Sequence, residues 1–391
     1  MRFLRDTHVD FLKFRHAAIG VSLAFILASF ASIAMHGGLR YGIDFAGGTQ
    51  VIVAFAEHPD LDTLRDMLEE QDIEDPVIQE FVADAGHQEV LIHTPQNIEG
   101  GGLLDEIHAA LDRYDPTEHP AGLDDLNAIS KEELASRLLQ RNPLEFDTVV
   151  DLQNARNTYG GIIDRVLAER DETGLLTSWA PVGALDLDAR INDWLESNFY
   201  LGTHRVIGQE YVGPQVGADL RRQSLLAMSW ALAGLLAYIS YRFEFRFGVG
   251  AVVALIHDVV IAVGAFSITN REFNLPVVAA FLTIVGYSLN DTVVVFDRVR
   301  ENAQTQRRMP LYDRLNLSIN QTLSRTLLTS GTTLIVVVSL FVYGGPVINN
   351  FAFALLIGII VGTYSSIYIA TPVYYFLAER SAAAAKEKAK K

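Results

Sequence analysis

Residues 285–302 read Val-Gly-Tyr-Ser-Leu-Asn-Asp-Thr-Val-Val-Val-Phe-Asp-Arg-Val-Arg-Glu-Asn, which places an Asn-Asp pair, Asn290 and Asp291, inside an apolar stretch. A charged side chain at the centre of a bilayer costs about 2.5–3.5 kcal/mol on insertion scales. A chain that keeps such a carboxylate usually pairs it, protonates it or uses it to move an ion. The stretch therefore indicates a membrane protein rather than a water-soluble domain.

The charges are distributed unevenly along the 391 residues, half of which are hydrophobic. Residues 37–222 hold 36 acidic and 13 basic side chains, a net charge of −23, whereas the rest of the chain has a net charge of +7. This asymmetry is typical of a membrane protein with one large polar domain. The acidic block would repel phosphates, so we expect no nucleic-acid binding. The chain has no cysteine, which excludes disulfides and cysteine-ligated metals.

Six apolar stretches reach the ~20 residues that a membrane-spanning helix needs. They are residues 17–35, 223–241, 247–269, 275–296, 327–345 and 351–377. A signal peptide is the alternative for the first stretch, but its 19 uncharged residues exceed the usual signal core. Basic residues precede this stretch and concentrate in the 242–246 and 297–326 loops and the 378–391 tail. The positive-inside rule then predicts that both termini are cytoplasmic, that residues 1–35 form the cytoplasmic N-terminus and the first transmembrane helix, and that residues 36–222 are exported.

The exported segment is predicted to combine strands and helices. Strands are predicted at 39–45 and 50–55 around Ala46-Gly47-Gly48, where adjacent glycines permit a positive φ. A helix at 61–71, strands at 78–83 and 89–93 around a turn at 84–86, and a last strand at 204–212 complete the pattern. This order predicts a ferredoxin-like α+β sandwich.

Residues 96–200 are predicted to form a helical insertion in this domain. The predicted helices cover 102–112, 130–140, 151–170 and 186–197. Ser130 with Glu133 three residues later is the signature of a capping box at the start of the second of these helices.

Several motifs together resemble those of the SecD/SecF family, accessory membrane subunits of bacterial Sec protein export. They are Gly-Ile-Asp-Phe-Ala-Gly-Gly-Thr at 42–49, Val-Gly-Pro-Gln-Val-Gly at 212–217, Arg-Phe-Glu at 242–244, Ala-Leu-Ile-His-Asp at 254–258, Ser-Arg-Thr-Leu-Leu-Thr-Ser-Gly-Thr-Thr at 324–333, and the 285–302 stretch. The form of the last stretch resembles SecF rather than SecD. The 96–200 segment is the departure, because the exported domain of SecF proteins is typically much shorter.

The resemblance implies a membrane α-helical fold with six transmembrane helices, half of an RND-type transporter, in the bacterial inner membrane. Helices 2–6 would lie within 223–377, with the large domain between the first two helices. The implied partners are a SecD-like subunit, the Sec translocon channel, an unfolded preprotein and membrane lipid. The implied role is transport rather than enzymatic catalysis.

Asp291 is the first candidate for ion coupling. On a helix it shares a polar face with Asn290 and Tyr287, and it lies about 9 Å inside Asp297 along the helix axis. The family resemblance implies a coupling-ion carboxylate in this segment and a pairing of Asp291 with Arg325. A long guanidinium at the start of the fifth stretch could reach inward to a carboxylate. The alternatives are a structural hydrogen bond for Asp291 and an ordinary boundary arginine for Arg325.

His257 and Asp258 lie near the middle of the third stretch and are candidates for proton passage. Adjacent helical residues point about 100° apart, so we do not expect them to share one ligand as a tight pair. Their alternative role is packing by hydrogen bonds. Gly358 and Gly362 form a small-xxx-small pattern, which indicates close helix packing or a surface for a partner subunit.

The sequence has no ATP-binding motif, nucleophile triad or metal-binding pattern, so we expect no cofactor and a coupling ion that is H⁺ or Na⁺. The preferred hypothesis is a proton-driven accessory subunit of protein export. One alternative is an exporter of small molecules or lipids of RND type. The other is a scaffold whose polar intramembrane residues only hold helices together.

Overall fold

The computed structural model describes residues 7–74, 76–82, 88–96, 102–114, 122–147, 151–242 and 244–388. The chain divides into two compact units, residues 1–45 with 215–391 (the helical unit) and residues 46–214 (the sheet unit). A few sequence predictions fall outside the described residues: the basic residues Arg2, Arg5, Lys390 and Lys391, Phe243 of the 242–244 motif, and the turn at 84–86.

The helical unit contains α1 (Arg15–Met35), α2 (Ile43–Ala46), α9 (Pro214–Arg242), α10 (Phe245–Ile268), α11 (Leu275–Thr305), α12 (Leu311–Tyr343), α13 (Gly345–Ser365) and α14 (Thr371–Lys388). The sheet unit contains the helices α3 (Leu61–Glu70), α4 (Gly102–Tyr114), α5 (Lys131–Arg141), α6 (Leu152–Thr173), α7 (Ala180–Gly183) and α8 (Ala189–Asn198). Its strands are β1 (Gly48–Phe55), β2 (Val77–Val82), β3 (Gln88–Thr94), β4 (Asp124–Asp125), β5 (Phe199–Tyr200) and β6 (His204–Val212).

Five helices among the described residues are long and apolar enough to cross a membrane: Leu12–Met35, Phe245–Ile268, Leu275–Thr305, Leu311–Tyr343 and Ile348–Ala383. They coincide with five of the six predicted stretches. The remaining stretch, 223–241, lies within α9, a continuous helix of 29 residues. The last span is interrupted by one π-helical turn, Ser366–Ala370, which separates α13 from α14.

Close packing holds the spans together where small residues face each other. Gly358 of α13 packs so tightly on Ile284 of α11 that a Cβ atom would collide with it, and a Cβ on Gly362 would come within 3.0 Å of Ser288 Cβ. Gly264 of α10 likewise lies against Ser29 of α1. The small-xxx-small pattern therefore serves packing within this chain.

The prediction of a strand at 39–45 is wrong. The backbone of this segment pairs with the loop between α10 and α11, where Phe273 N–H donates to Arg40 O (2.7 Å) and Gly42 N–H donates to Phe273 O (3.1 Å). Residues 43–46 then form the short helix α2, and the Asp44 carboxylate accepts a hydrogen bond from the Leu275 N–H at the start of α11 (2.8 Å). The apolar side chains of this segment, Leu39 and Phe45, pack against helices of the helical unit, so the segment does not join a sheet.

A four-stranded sheet in the order β2-β3-β1-β6 forms the centre of the sheet unit, and all its neighbours are antiparallel. One face carries Val51, Val53 and Ile92 and is covered by α3 and α4. Gly47 and Gly48 take positive φ angles of 76° and 119° where β1 begins, as the glycine pair predicted. The predicted strands at 50–55, 78–83, 89–93 and 204–212 are confirmed within one or two residues at the positions that the structure describes.

All four helices predicted in 96–200 are present, but they pack in two places. α4 lies on the sheet, where Ile107 and Leu111 are fully buried. The other three, α5, α6 and α8, build a second core around Tyr159 with β5. The Ser130 cap is confirmed, because its Oγ accepts a hydrogen bond from the Glu133 N–H (3.1 Å).

Two buried polar side chains tie this second core together. The Asn127 amide donates to the carbonyls of Leu176 and Gly202 (3.0 Å each) and accepts from the Leu176 N–H (2.9 Å). The Arg170 guanidinium donates to the backbone carbonyls of Leu126, Asn127 and Ile129, the last at 2.9 Å. Burial lowers the pKa of Arg170 below its usual value, but the guanidinium remains a donor in every accessible pH range.

Candidate functional site

Asp291 lies on α11 with only 3% of its surface exposed. Its carboxylate has one hydrogen-bond donor among the described residues, Ser330 Oγ of α12 at 3.4 Å. Ser330 Oγ is in turn 2.8 Å from Thr363 Oγ1 of α13. One long hydrogen bond is little compensation for a buried carboxylate, because burying an ionised group is costly unless it is paired and well solvated by donors.

Asp258, on α10, is fully buried and far better satisfied. Its Oδ2 accepts hydrogen bonds from Ser288 Oγ of α11 (2.5 Å) and Ser365 Oγ of α13 (2.8 Å). Its Oδ1 lies 2.9 Å from Nδ1 of the adjacent His257. The two side chains thus bond directly to each other, while the expectation that they would not share one ligand stays a prediction. The rotation of 100° separates their Cβ directions, but both side chains are long enough to meet beside the helix.

His257 also connects α10 to the first helix. Its Nε2 lies 3.0 Å from Ser22 Oγ of α1, and Ser22 Oγ lies 3.1 Å from the Tyr364 hydroxyl of α13. The Tyr364 hydroxyl donates to the Ala18 carbonyl of α1 at 2.7 Å. His257 and Ser22 are buried, with 5% and 3% of their surfaces exposed, whereas Tyr364 and Ala18 at the end of this chain of polar groups are half-buried.

Arg325 and Asn290 are placed differently from the two acids. Arg325 is exposed on α12, and within the described part of the chain it forms no ion pair with Asp291. Asn290 is exposed on α11. Tyr287, on the predicted polar face, reaches Thr333 Oγ1 of α12 with its hydroxyl (3.4 Å). Of the five predicted site residues, the structure joins His257 with Asp258 directly and leaves Asn290 and Arg325 at the surface.

Sequence reasoning missed the hydroxyl groups that surround both acids: Ser22, Ser288, Ser330, Thr363, Tyr364 and Ser365. A weak signal exists for one of them, since Ser288 precedes Asp291 by three residues and so lies on the same side of α11. The others come from helices far away in sequence, and isolated serines are common in membrane helices. Over the residues described, no three His, Asp or Glu side chains are grouped as metal ligands.

Comparisons with known proteins agree with this architecture. The family model for the protein export membrane protein SecD/SecF, C-terminal, matches residues 196–380, and the SecD/SecF GG motif matches residues 35–57. The protein translocase subunit SecF of Koribacter versatilis is 41% identical over 384 residues, which cover 95% of this chain and 92% of the relative. The SecF subunit of Escherichia coli O157:H7 is 30% identical over 362 residues, covering 93% and 85%.

A solved structure of SecDF from Thermus thermophilus, described as a translocon-associated membrane protein, superimposes with a TM-score of 0.64 at 28% identity. The match covers 96% of this chain and 39% of the SecDF chain, so this chain corresponds to a part of SecDF. The family models, the relatives and the shared fold lead to one conclusion: this chain belongs to the SecD/SecF family of protein export membrane proteins, in its SecF branch.

Proposed function

We propose that this subunit of the Sec export machinery uses the proton motive force to help move or release preproteins, and that Asp291 carries the coupling ion. The observation that supports this best is the difference between the two buried acids. Asp258 is surrounded by three hydrogen-bond partners, whereas Asp291 has a single donor at 3.4 Å. A poorly satisfied carboxylate changes its proton occupancy most readily when water or a cation reaches it.

Arg325 would be the cation that senses this change. It lies on α12, the helix that also supplies Ser330 to Asp291. In a second state with Asp291 ionised, the guanidinium would turn inward and pair with the carboxylate, which requires α11 and α12 to shift. One charge crossing the membrane potential supplies about 2.3 kcal/mol per 100 mV, enough to bias such an equilibrium substantially. H⁺ is the proposed ion, and Na⁺ would fit the same carboxylate.

The deciding experiment measures proton-dependent export in membranes containing Asp291→Asn. We expect the stimulation by the proton motive force to disappear, because the amide cannot exchange a proton, while the subunit still accumulates. Asp297→Asn is the matched control, since Asp297 lies on the same helix but is half-exposed and pairs with Arg242 (3.7 Å). Normal stimulation with Asp291→Asn would refute the coupling role and favour an inert scaffold.

We also propose that α9 is the sixth span and that the sheet unit is a ferredoxin-like exported domain. α9 exposes Leu225, Trp230 and Leu236, as a helix facing lipid would. The order β1-α3-β2-β3-α4-β6 with antiparallel neighbours has the split β-α-β connectivity of the ferredoxin-like fold. We place the insertion at about 122–202, because α4 packs on the sheet. The basic loops at 242–246 and 297–326 favour cytoplasmic termini and a periplasmic sheet unit.

The proposed partners are a SecD-like subunit, the Sec translocon channel and an unfolded preprotein in the bacterial inner membrane. The SecDF neighbour supports the first, because this chain matches 39% of it and the remainder would be supplied by a second subunit. Purification through a tag on this chain should recover a SecD-like chain and the channel. Recovery of the chain alone from mild detergent would contradict the assembly.

A further inference from the structure

The polar chain from Asp258 to α1 contains four hydrogen bonds in series. They join Asp258 Oδ1 to His257 Nδ1, His257 Nε2 to Ser22 Oγ, Ser22 Oγ to the Tyr364 hydroxyl, and that hydroxyl to Ala18 O. Every heavy-atom separation lies between 2.7 and 3.1 Å, so each link is a normal hydrogen bond. Each link therefore needs one hydrogen of its own.

The hydrogens are assigned from the Ala18 end. A carbonyl only accepts, so the single Tyr364 hydrogen is used on Ala18 O. Ser22 must then donate to Tyr364, and His257 Nε2 must carry a hydrogen to donate to Ser22. The remaining link, between Nδ1 and Oδ1, needs a fourth hydrogen. It is present only if the His257–Asp258 pair holds one proton more than a neutral imidazole beside a carboxylate.

We propose that the His257–Asp258 pair is a proton-storage site separate from Asp291, and that Ser22 and Tyr364 are the positioning residues that hold it in its loaded form. The count does not depend on whether the nitrogen or the oxygen carries the shared proton. When the proton leaves, three hydrogens remain for four links. One link in the chain between α10, α1 and α13 must then break.

The first helix would be the element that responds. α1 runs parallel to α10 in a fixed register, since Ser22 meets His257 and Ser32 meets Ser267 (2.8 Å between the hydroxyls) with the same sequence offset. The link between Ser32 and Ser267 joins two hydroxyls, and Ser32 Oγ also lies 3.3 Å from Nδ1 of His36. The link from Ser22 to His257 is the one that depends on the proton of the storage site. Losing it would loosen α1 at one level only.

Few other titratable groups face the pair. α1 contributes only hydroxyls between His16 and His36. α11 contributes Ser288 directly, with Asp291 as its nearest acid in sequence, and the α13 side contributes Tyr364, followed by Tyr368 in the π turn. The two serines on Oδ2 keep their donors in both states, so they do not alter the hydrogen count.

The test is ¹⁵N NMR of the full chain in lipid nanodiscs with labelled histidine, in which His257→Asn identifies the His257 resonances. We expect Nε2 of His257 to be protonated at neutral pH and a hydrogen to be shared at Nδ1. Tyr364→Phe frees the Ser22 hydrogen to donate to Nε2, so both remaining links survive loss of the proton. The midpoint of proton loss should therefore move down by about one pH unit, the scale of one net hydrogen bond.

Ser22→Ala should move the midpoint in the same direction, because it breaks the chain at its centre. Tyr368→Phe is the matched control and should leave it unchanged, since Tyr368 is not a link in the chain. An unprotonated Nε2 in the native chain, or an unchanged midpoint in both Tyr364→Phe and Ser22→Ala, would overturn the proposal. The storage site itself is independent of the proposed function, and only its consequence for export rests on the proposed ion coupling. The NMR result and the Asp291→Asn export assay can therefore fail independently.

Discussion

Single buried polar residues hold parts of this molecule that the hydrophobic cores alone would not orient. Asn127 is the clearest case outside the membrane spans, because it is 1% exposed and joins three separate segments of the sheet unit. Its amide nitrogen donates to two carbonyl groups and its amide oxygen accepts from one N–H, so all three of these partners are backbone groups.

Asn127→Ala should lower the free energy of unfolding of the sheet unit by about 2–4 kcal/mol, because it leaves buried backbone groups unpaired at about 1–3 kcal/mol each. Fluorescence-monitored denaturation of the full chain is the measurement, since Trp179 and Trp194 pack against this core. Asn157→Ala, an exposed change on α6, is the control and should have almost no effect. Equal stability of the two variants would contradict this account of Asn127.

At the same scale, the sequence predicts the acids and misses their donors. Asp258 and Asp291 are recognisable because a charge in an apolar stretch is visible in one dimension. Ser22 and Ser365 are not recognisable, because they lie 235 and 107 residues from their partners along the chain. Arg325 differs from these serines, because the sequence predicts that its side chain turns inward to pair with Asp291. In the structure its side chain is exposed, and no ion pair joins these two described residues.

Helices in this molecule approach each other as closely as their smallest residues allow. Two glycines test this directly, because Gly358 has no room for a side chain against Ile284, whereas nothing lies within 4 Å of a Cβ placed on Gly331 of α12. Both glycines are inside membrane-spanning helices, so their intrinsic helix propensities are comparable.

Gly358→Ala should therefore reduce the thermal stability of the purified subunit, because α13 must move away from α11 or Ile284 must leave its rotamer at a cost of about 1–3 kcal/mol. Gly331→Ala should be neutral or slightly stabilising, since alanine favours the helix by up to about 1 kcal/mol. Melting temperatures in detergent separate the two variants. A larger loss at Gly331 would show that another molecule covers that face of α12.

Elements were predictable where one local pattern decides them. Long apolar runs gave the spans, and the helices of the second core follow amphipathic periodicity with a visible cap at Ser130. The 39–45 segment was wrong because its partner, Phe273, lies more than 200 residues away and only tertiary contacts reveal it. The same limitation applies to α4, whose helical pattern does not show that it covers the sheet.

For the molecule as a whole, the second core is a hydrophobic cluster distinct from the one that lies against the sheet. α4 ends at Tyr114 close to the start of β6, because Asp112 Oδ1 lies 3.9 Å from His204 Nε2 and the rings of Tyr114 and His204 both contact Phe55. The chain thus leaves the sheet and returns to it at nearly the same place.

Replacing residues 116–202 by a short glycine-serine linker should therefore leave the four-stranded sheet and the spans intact. We expect the shortened chain to accumulate in the membrane and to recover a SecD-like subunit in the same amount as the full chain recovers in a parallel purification. Limited proteolysis and co-purification are the measurements, with the full chain as the reference. Degradation of the shortened chain would show that the sheet requires the second core for folding.

The π-helical turn at Ser366–Ala370 has a consequence for how the last span holds α10. Ser365 donates to Asp258, and nine residues later Tyr374 stacks on Phe247 with ring centroids 4.1 Å apart. In an uninterrupted α-helix, residues nine apart point in opposite directions. The wider π-helical turn changes the direction of the residues that follow it by about a quarter of a revolution. As a result, α13 and α14 can each contact α10, at two different levels of the last span. Deleting a single residue from the π-helical turn would therefore break one of the two contacts with α10, either the Ser365–Asp258 hydrogen bond or the stacking of Tyr374 on Phe247.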